Sequence, residues 1–304
     1  MKKITVVGAG NVGATAAHHI VARQLGSVCL IDIADGLAAG KALDIMQSAA
    51  VDGFGTHITG SSDYANAADS DVVLITAGIA RKPGMSRDDL LKTNATIIRD
   101  IATQCLNYAP NAIFIVVTNP LDVMTWLVAD IVQDHKRVMG MAGVLDASRY
   151  AQFIAEALDC SIQDVRAMVL GGHGDTMVPL PRYSSVNGIS ITELLPADKI
   201  EKINARTQSG GAEIVKLLKT GSAYYAPASS AVSMVEAVLL NTNRILPACV
   251  YVDGAYGLTQ TYCGVPVQLD ETGVAKIITL DLSDDEQAAV LRSAAAVKEI
   301  YKSL

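Results

Sequence analysis

Short, almost wholly apolar runs alternate with longer stretches of helical periodicity through the first half of the chain. The runs at 4–7, 28–31, 72–75 and 112–117 are rich in Val and Ile, and a weaker one lies at 57–60. Strands this uniformly apolar bury both faces, which predicts a parallel sheet covered on each side. Between them the 3.6-residue pattern predicts helices over 12–24, 37–48 and 88–107, the last stopped before Pro110. This is the rhythm of a doubly wound α/β domain. Near residues 142–143 the character changes. Helices are expected over 148–158, 199–219, 229–240 and 284–303, with strand-like pieces at 166–170, 248–252 and 265–269. The expected organisation is an α/β first domain over 1–143 and a mixed α/β second domain over 144–304, packed firmly with a cleft between them.

Composition narrows the class. The chain has 304 residues, 50% hydrophobic and 18% charged, which suits a globular protein with a large core. A net charge of −7 and the lack of a basic stripe argue against nucleic acid as a partner. The strictly apolar run at 112–117 is far too short to span a bilayer, so no membrane is expected. Lys2 and Lys3 precede an apolar start, but Gly8, Gly10 and Gly13 interrupt it too early for a signal peptide. Five cysteines, none in a CxxC pair, point to free thiols in a reducing cytoplasm rather than to disulfides or zinc, and no metal site is expected.

The chemistry is concentrated in a few motifs. Gly8-Ala9-Gly10-Asn11-Val12-Gly13 follows the first strand and opens the first helix, and Asp32 ends the second strand. That context turns a common glycine cluster into a dinucleotide-binding (Rossmann) fingerprint. Gly8 allows the tight turn, Gly10 lets backbone approach a pyrophosphate, and Gly13 lets helix and strand pack closely. The helix N-terminus offers N–H groups to phosphate. Asp32 suits ribose hydroxyls and repels a 2′-phosphate, so NAD is expected over NADP.

The loop at 79–87 carries Arg81 and Arg87 among Gly and Pro. Two guanidinium forks on such a loop suit a lid closing on a small anion, the alternative being a solvated basic turn. Of the five histidines only His173 sits among glycines, in Gly171-Gly172-His173-Gly174-Asp175. An imidazole there is placed for proton exchange near neutral pH, the alternative being an idle loop residue. Asp146 reads as a helix cap or as the carboxylate that orients His173. Arg149 reads as a surface ion pair or as a carboxylate clamp. Asn119, before Pro120 at a strand's carboxyl end, reads as a turn residue or as a hydrogen-bonding partner of substrate.

Together, in this order, these motifs resemble the lactate/malate dehydrogenase family over essentially the whole chain. The resemblance implies an NAD-dependent oxidoreductase of a 2-hydroxy acid. It makes His173 the proton donor and acceptor with Asp146 as partner, Arg149 the clamp on the carboxylate beside the reacting carbon, and Arg87 the group that polarises the carbonyl. Asn119 would touch substrate and cofactor, while Asn94, Val117 and Thr118 would line the nicotinamide side. Arg81 stands where the family's lactate-specific members carry glutamine, so the resemblance is to the malate-specific, lactate-dehydrogenase-like subgroup. Ala223, where the family often has a larger hydroxyl residue, would leave room for a second carboxylate. The resemblance further implies a place in the tricarboxylic acid cycle and a homotetramer or homodimer. The nearest rival is a lactate dehydrogenase; a non-catalytic NAD-binding protein would have no need of Arg87, Asp146, Arg149 and His173 together.

Overall fold

The computed structural model describes residues 2–79 and 87–304. The first half contains β1 (Lys3–Val7), α1 (Asn11–Ala22), β2 (Ser27–Ile31), α2 (Leu37–Asp52), β3 (Ile58–Ser61), β4 (Val72–Ile75), α3 (Arg87–Tyr108), β5 (Ile113–Val116), α4 (Leu121–Val132) and β6 (Val138–Gly140). These six strands are parallel in the order β3-β2-β1-β4-β5-β6. That is the doubly wound Rossmann order, which leaves a crevice at the carboxyl ends where the winding reverses between β1 and β4. β4 and β5 are buried at every position, as their unbroken apolar runs predict. α1 buries Ala16, Ala17, Ile20 and Val21 along one stripe, small residues first, which lets it lie close against the sheet.

α5 (Gly143–Leu158) follows, then the short strands β7 (Val165–Arg166), β8 (Val169–Leu170), β9 (Val178–Pro179), β10 (Ser185–Val186) and β11 (Ile189–Ser190). The helices α6 (Ile191–Leu194), α7 (Ala197–Gln208), α8 (Gly210–Leu218) and α9 (Tyr225–Leu239) come next. A long meander of β12 (Ile245–Val252), β13 (Thr261–Asp270) and β14 (Gly273–Ile277) leads to α10 (Asp284–Lys302). This part is mixed α/β.

Besides α4 and β6, which the sequence reading did not anticipate, three features depart from it. The meander is not separate from the first sheet: β12 pairs antiparallel with β6 through Cys249 and Gly140, making one nine-stranded sheet. The single helix expected over 199–219 is two, broken at Ser209 before the paired glycines Gly210 and Gly211, which are poor helix formers. The strand expected over 166–170 is split into β7 and β8, which pair in different small sheets. One core cluster runs from β1 and α1 through α9 to β12 and β13, so the two halves share a hydrophobic interior. Among the described residues no helix is long and apolar enough to cross a membrane.

Candidate active site

The carboxyl ends of the parallel strands deliver the candidate residues to one crevice. After β1 the chain turns at Gly8, whose φ of +103° is the left-handed conformation open to glycine. A Cβ on Gly8 would lie 2.6 Å from the backbone N of Ala77, and one on Gly13 would lie 1.8 Å from the carbonyl oxygen of Gly8. Both glycines are therefore required by the close crossing of α1 over the turn. Gly10 differs: nothing lies within 4 Å of the position its Cβ would take. It caps α1, and no side-chain cap hydrogen bond forms there. The open space sits in front of a helix N-terminus whose amides have no capping side chain, with Asn11 and Val12 in its first turn, and a phosphate group suits it.

The Ala9 N–H donates to Asp32 Oδ2 at 2.7 Å and the Ala34 N–H to Asp32 Oδ1 at 2.9 Å, so both carboxylate oxygens are held from beneath. A cavity of about 370 Å³ opens here, lined by Gly8, Gly10, Asp32, Leu37, Tyr64 and Asp100 among others. No cation lines it among the described residues. Glycine cradle, helix N-terminus and acid at the end of β2 fit a dinucleotide without a 2′-phosphate.

A second cavity, of about 400 Å³, shares Thr76, Gly78 and Ile79 with the first. Its walls bring together Asn119, Arg149 and His173 with Val12, Val117 and Thr118. Ala223 also lines it. Asn119 is exposed in this crevice. The Thr118 hydroxyl donates to the Ala77 carbonyl at 2.6 Å and so ties β5's end to β4's. Asn94, expected to line the nicotinamide side, is 1% exposed. Its Oδ1 accepts from the Ile79 N–H at 2.9 Å, and its Nδ2 donates to the carbonyls of Ile79 and Asn119 at 3.2 and 2.7 Å. It holds the wall from behind, because every hydrogen-bonding face of its carboxamide is engaged with backbone. Arg81 lies outside the described residues, as does the Arg87 side chain; the Arg87 backbone begins α3.

His173 lies in the loop between β8 and β9, and Asp146 and Arg149 are one helical turn apart on α5, facing the same way. Asp146 is 2% exposed. It is not the cap of α5, which begins at Gly143; its Oδ2 stands 2.9 Å from His173 Nδ1 and its Oδ1 accepts from Arg149 Nη1 at 3.3 Å. Nor is Arg149 a surface residue: its side chain is 12% exposed, and its Nε has no partner among the described residues. With Asp146 on one side and a donor to spare, this enclosed guanidinium suits an anion in the cavity. Burial alone would lower the His173 pKa, but the Asp146 carboxylate, by charge and hydrogen bond, with Asp122 adding charge, outweighs burial and the opposing Arg149 and raises it above the usual value. The imidazolium form is thus stabilised relative to a free imidazole.

Sequence reasoning did not find Asp122 or Ser293. The His173 N–H donates to Asp122 Oδ2 and the Gly172 N–H to Ser293 Oγ, each at 2.8 Å. Asp122 stands two residues beyond Pro120, where an acid in a first helical turn reads as a dipole partner; Ser293 offers no local signal at all. A larger hollow of about 500 Å³ lies at the amino ends of the strands, where Lys2 pairs with Asp71 and Arg137 with Asp134. Those charges satisfy one another, and the strand ends are the wrong ones for a doubly wound sheet.

Comparison with known proteins places the chain. Residues 2–140 match the lactate/malate dehydrogenase NAD binding domain, and residues 143–304 match the alpha/beta C-terminal domain of the same family. The chain is 56% identical over 306 residues to a malate dehydrogenase of Pelodictyon phaeoclathratiforme, covering 99% of this chain and 98% of the relative. The solved structure of a malate dehydrogenase from Salinibacter ruber superposes with a TM-score of 0.95 at 47% identity, covering 99% of this chain and 97% of that one. A lactate dehydrogenase from Cryptosporidium parvum, solved with lactic acid and nicotinamide adenine dinucleotide, gives 0.95 at 40% identity over 99% and 97%. With a fingerprint turn built for a dinucleotide and a histidine–aspartate contact beside a buried arginine, the chain belongs to the lactate/malate dehydrogenase family.

Proposed function

We propose that the chain is an NAD-dependent malate dehydrogenase that interconverts malate and oxaloacetate. The observation that carries the reading is the contact of His173 Nδ1 with Asp146 Oδ2 at 2.9 Å, on the wall of a cavity that also holds Arg149. In this reading 1–143 binds the cofactor and 144–304 supplies most of the substrate site. Held at the Gly8–Gly13 turn and Asp32, the nicotinamide cofactor would supply the hydride for the keto carbon of the substrate and would accept it in the reverse direction.

The remaining work falls to side chains. Asp146 fixes the Nδ1–H tautomer of His173, leaving Nε2 to deliver a proton to the substrate oxygen as it becomes a hydroxyl. In malate oxidation the neutral imidazole takes that proton back. Arg149 grips the carboxylate next to the reacting carbon, and Asn119 hydrogen-bonds the reacting oxygen. Gly8 to Gly13 cradle the pyrophosphate, Asp32 accepts from the adenosine ribose, and Val117 and Thr118 close the nicotinamide side. Arg87 stabilises negative charge developing on the carbonyl oxygen, and Arg81 pairs with the second carboxylate; both roles rest on the family resemblance. The five cysteines are free thiols, as suits a reducing cytoplasm. Leu43 and Val51 on α2 are 62% and 88% exposed, a surface suited to a homodimer or homotetramer; light scattering of the purified protein tests it, a monomer mass refuting it.

A lactate dehydrogenase is the second reading, because a solved one superposes as well as the malate enzyme does. Arg81 favours malate. Steady-state assays with NADH should give a higher kcat/KM for oxaloacetate than for pyruvate, and Arg81→Gln should change that ratio by roughly 10²- to 10⁴-fold toward pyruvate. A charge-assisted hydrogen bond contributes about 1.5–3 kcal/mol, and an unpaired carboxylate in a closed site adds to the loss. Preference for pyruvate in the wild type would overturn the malate reading; an unchanged ratio in the variant would remove Arg81 as its cause.

A further inference from the structure

The cavity beside Asp32 holds a second acid. Asp100 of α3 lines it together with Ile97 and Ile101, three positions that share one face of the helix. Ile33, just after β2, and Leu37, at the start of α2, line it as well, and they are 86% and 38% exposed. Branched aliphatic side chains from two separate elements make walls suited to a flat ring. Tyr64 lines the cavity too and is itself buried. Burial raises its pKa, and Cys105, Asp100 and Asp32 add to the rise, so the phenol stays neutral.

The two acids differ in how they are held. Both oxygens of Asp32 accept from backbone N–H groups at 2.7 and 2.9 Å. Among the described residues Asp100 accepts only from the Gln104 amide one turn on, at 3.4 and 3.3 Å, which are long contacts within its own helix. Its oxygens therefore keep lone pairs free, and among the described residues no cation lines the cavity to take them. A dinucleotide with its pyrophosphate at the Gly10 turn and its ribose on Asp32 has only the rest of this cavity for its base. An ionised carboxylate accepts and cannot donate. It gains from an amino group on the edge of a ring and is repelled by a carbonyl in the same place.

We propose that Asp100 selects the base of the cofactor: its carboxylate accepts a hydrogen bond from the exocyclic amino group of adenine, and the cavity discriminates against a purine with a carbonyl at that position. The proposal rests on the reading that Gly8 to Gly13 and Asp32 hold the pyrophosphate and the ribose. The two acids then divide the work, Asp32 reading the sugar and Asp100 reading the ring, while the aliphatic walls supply contact that any purine would share.

The test is fluorescence titration of the full-length protein with NADH and with reduced nicotinamide hypoxanthine dinucleotide, which carries a carbonyl where adenine carries the amino group. The wild type should bind NADH about 10-fold more tightly than the hypoxanthine analogue; water competes at an exposed carboxylate and keeps the factor from being larger. Asp100→Ala should bring the two dissociation constants to within about 2-fold of each other, chiefly by weakening NADH. Asp100→Asn, whose carboxamide can also donate, should narrow the ratio or reverse it. A wild-type ratio near one, or the same ratio in the wild type and Asp100→Ala, would overturn the proposal. NADPH titrated in parallel locates the acid: tighter NADPH binding by Asp100→Ala with an unchanged adenine-to-hypoxanthine ratio would put Asp100 at the ribose and overturn it as well. If the wild type binds neither NADH nor the analogue, the dinucleotide reading of the cavity falls and takes the proposal with it. If NADH binds and only the ratio fails, the assignment of Asp100 alone falls.

Discussion

The two ends of the site are built by different means. At the end proposed for the adenosine the whole constellation from Gly8 to Asp32 lies between the end of β1 and the residue after β2, and its shape is enforced by steric exclusion: a methyl group on Gly13 would sit 1.8 Å from a carbonyl oxygen. At the end proposed for proton transfer no two adjacent elements suffice. His173 comes from the β8–β9 loop, Asp146 and Arg149 from α5, Asp122 from α4 and Ser293 from α10. There the shape is enforced by buried hydrogen bonds, and the charge state by Asp146. Packing that excludes is tolerant of charge and intolerant of volume; hydrogen bonding between buried groups is the reverse. The first end should therefore fail by losing affinity, the second by losing rate.

The largest expected effect tests the independence of the two ends. His173→Asn should lower kcat by about 10²- to 10⁴-fold, the contribution of a placed general acid, while NADH affinity by fluorescence titration stays at the wild-type value. A parallel loss of NADH affinity would show the ends to be one unit. Next in size, Gly10→Ala probes the one fingerprint position where the fold leaves empty space. NADH binding should weaken by about 10- to 100-fold through lost phosphate contacts, with Tm close to wild type; normal affinity would mean that no phosphate sits there. Smaller still, replacing Asp32 by Ser together with Ile33→Arg should raise NADPH efficiency relative to NADH by about 10-fold, as a repulsive carboxylate gives way to a phosphate partner. An unchanged ratio would move the ribose site away from Asp32.

The same division explains what could be read from the chain. β4 and β5 are unbroken apolar runs between turn residues and β1 and β2 nearly so, and their local pattern is enough to place them. β6 is only Val138–Gly140, directly after the charged turn of Lys136 and Arg137, too short for any periodicity. α4 has nine of its twelve residues buried, so it lacks the polar stripe by which a helix is recognised. The fingerprint was legible because its parts are neighbours in sequence. The motif around His173 pointed to a loop with chemistry in it, but the groups that hold that loop come from Asp122 and Ser293, far away in the chain, and nothing local marks them. Asn94 shows the converse: the family resemblance singled it out, but its engagement with the backbone of Ile79 and Asn119 has no local signal in the sequence.

The central claim is that Asp146 keeps His173 protonated for oxaloacetate reduction. The pH dependence of kcat/KM for oxaloacetate in the wild type and in Asp146→Asn tests it most directly. His173 has a raised pKa because the charge and hydrogen bond of Asp146 outweigh burial. In the proposed reaction the protonated imidazole is the active form in reduction, so activity should fall as pH rises through that pKa. Removing the Asp146 charge lowers the pKa, and the variant's activity should fall away at lower pH than the wild type's. Superimposable profiles, or a variant midpoint at higher pH, would contradict the account.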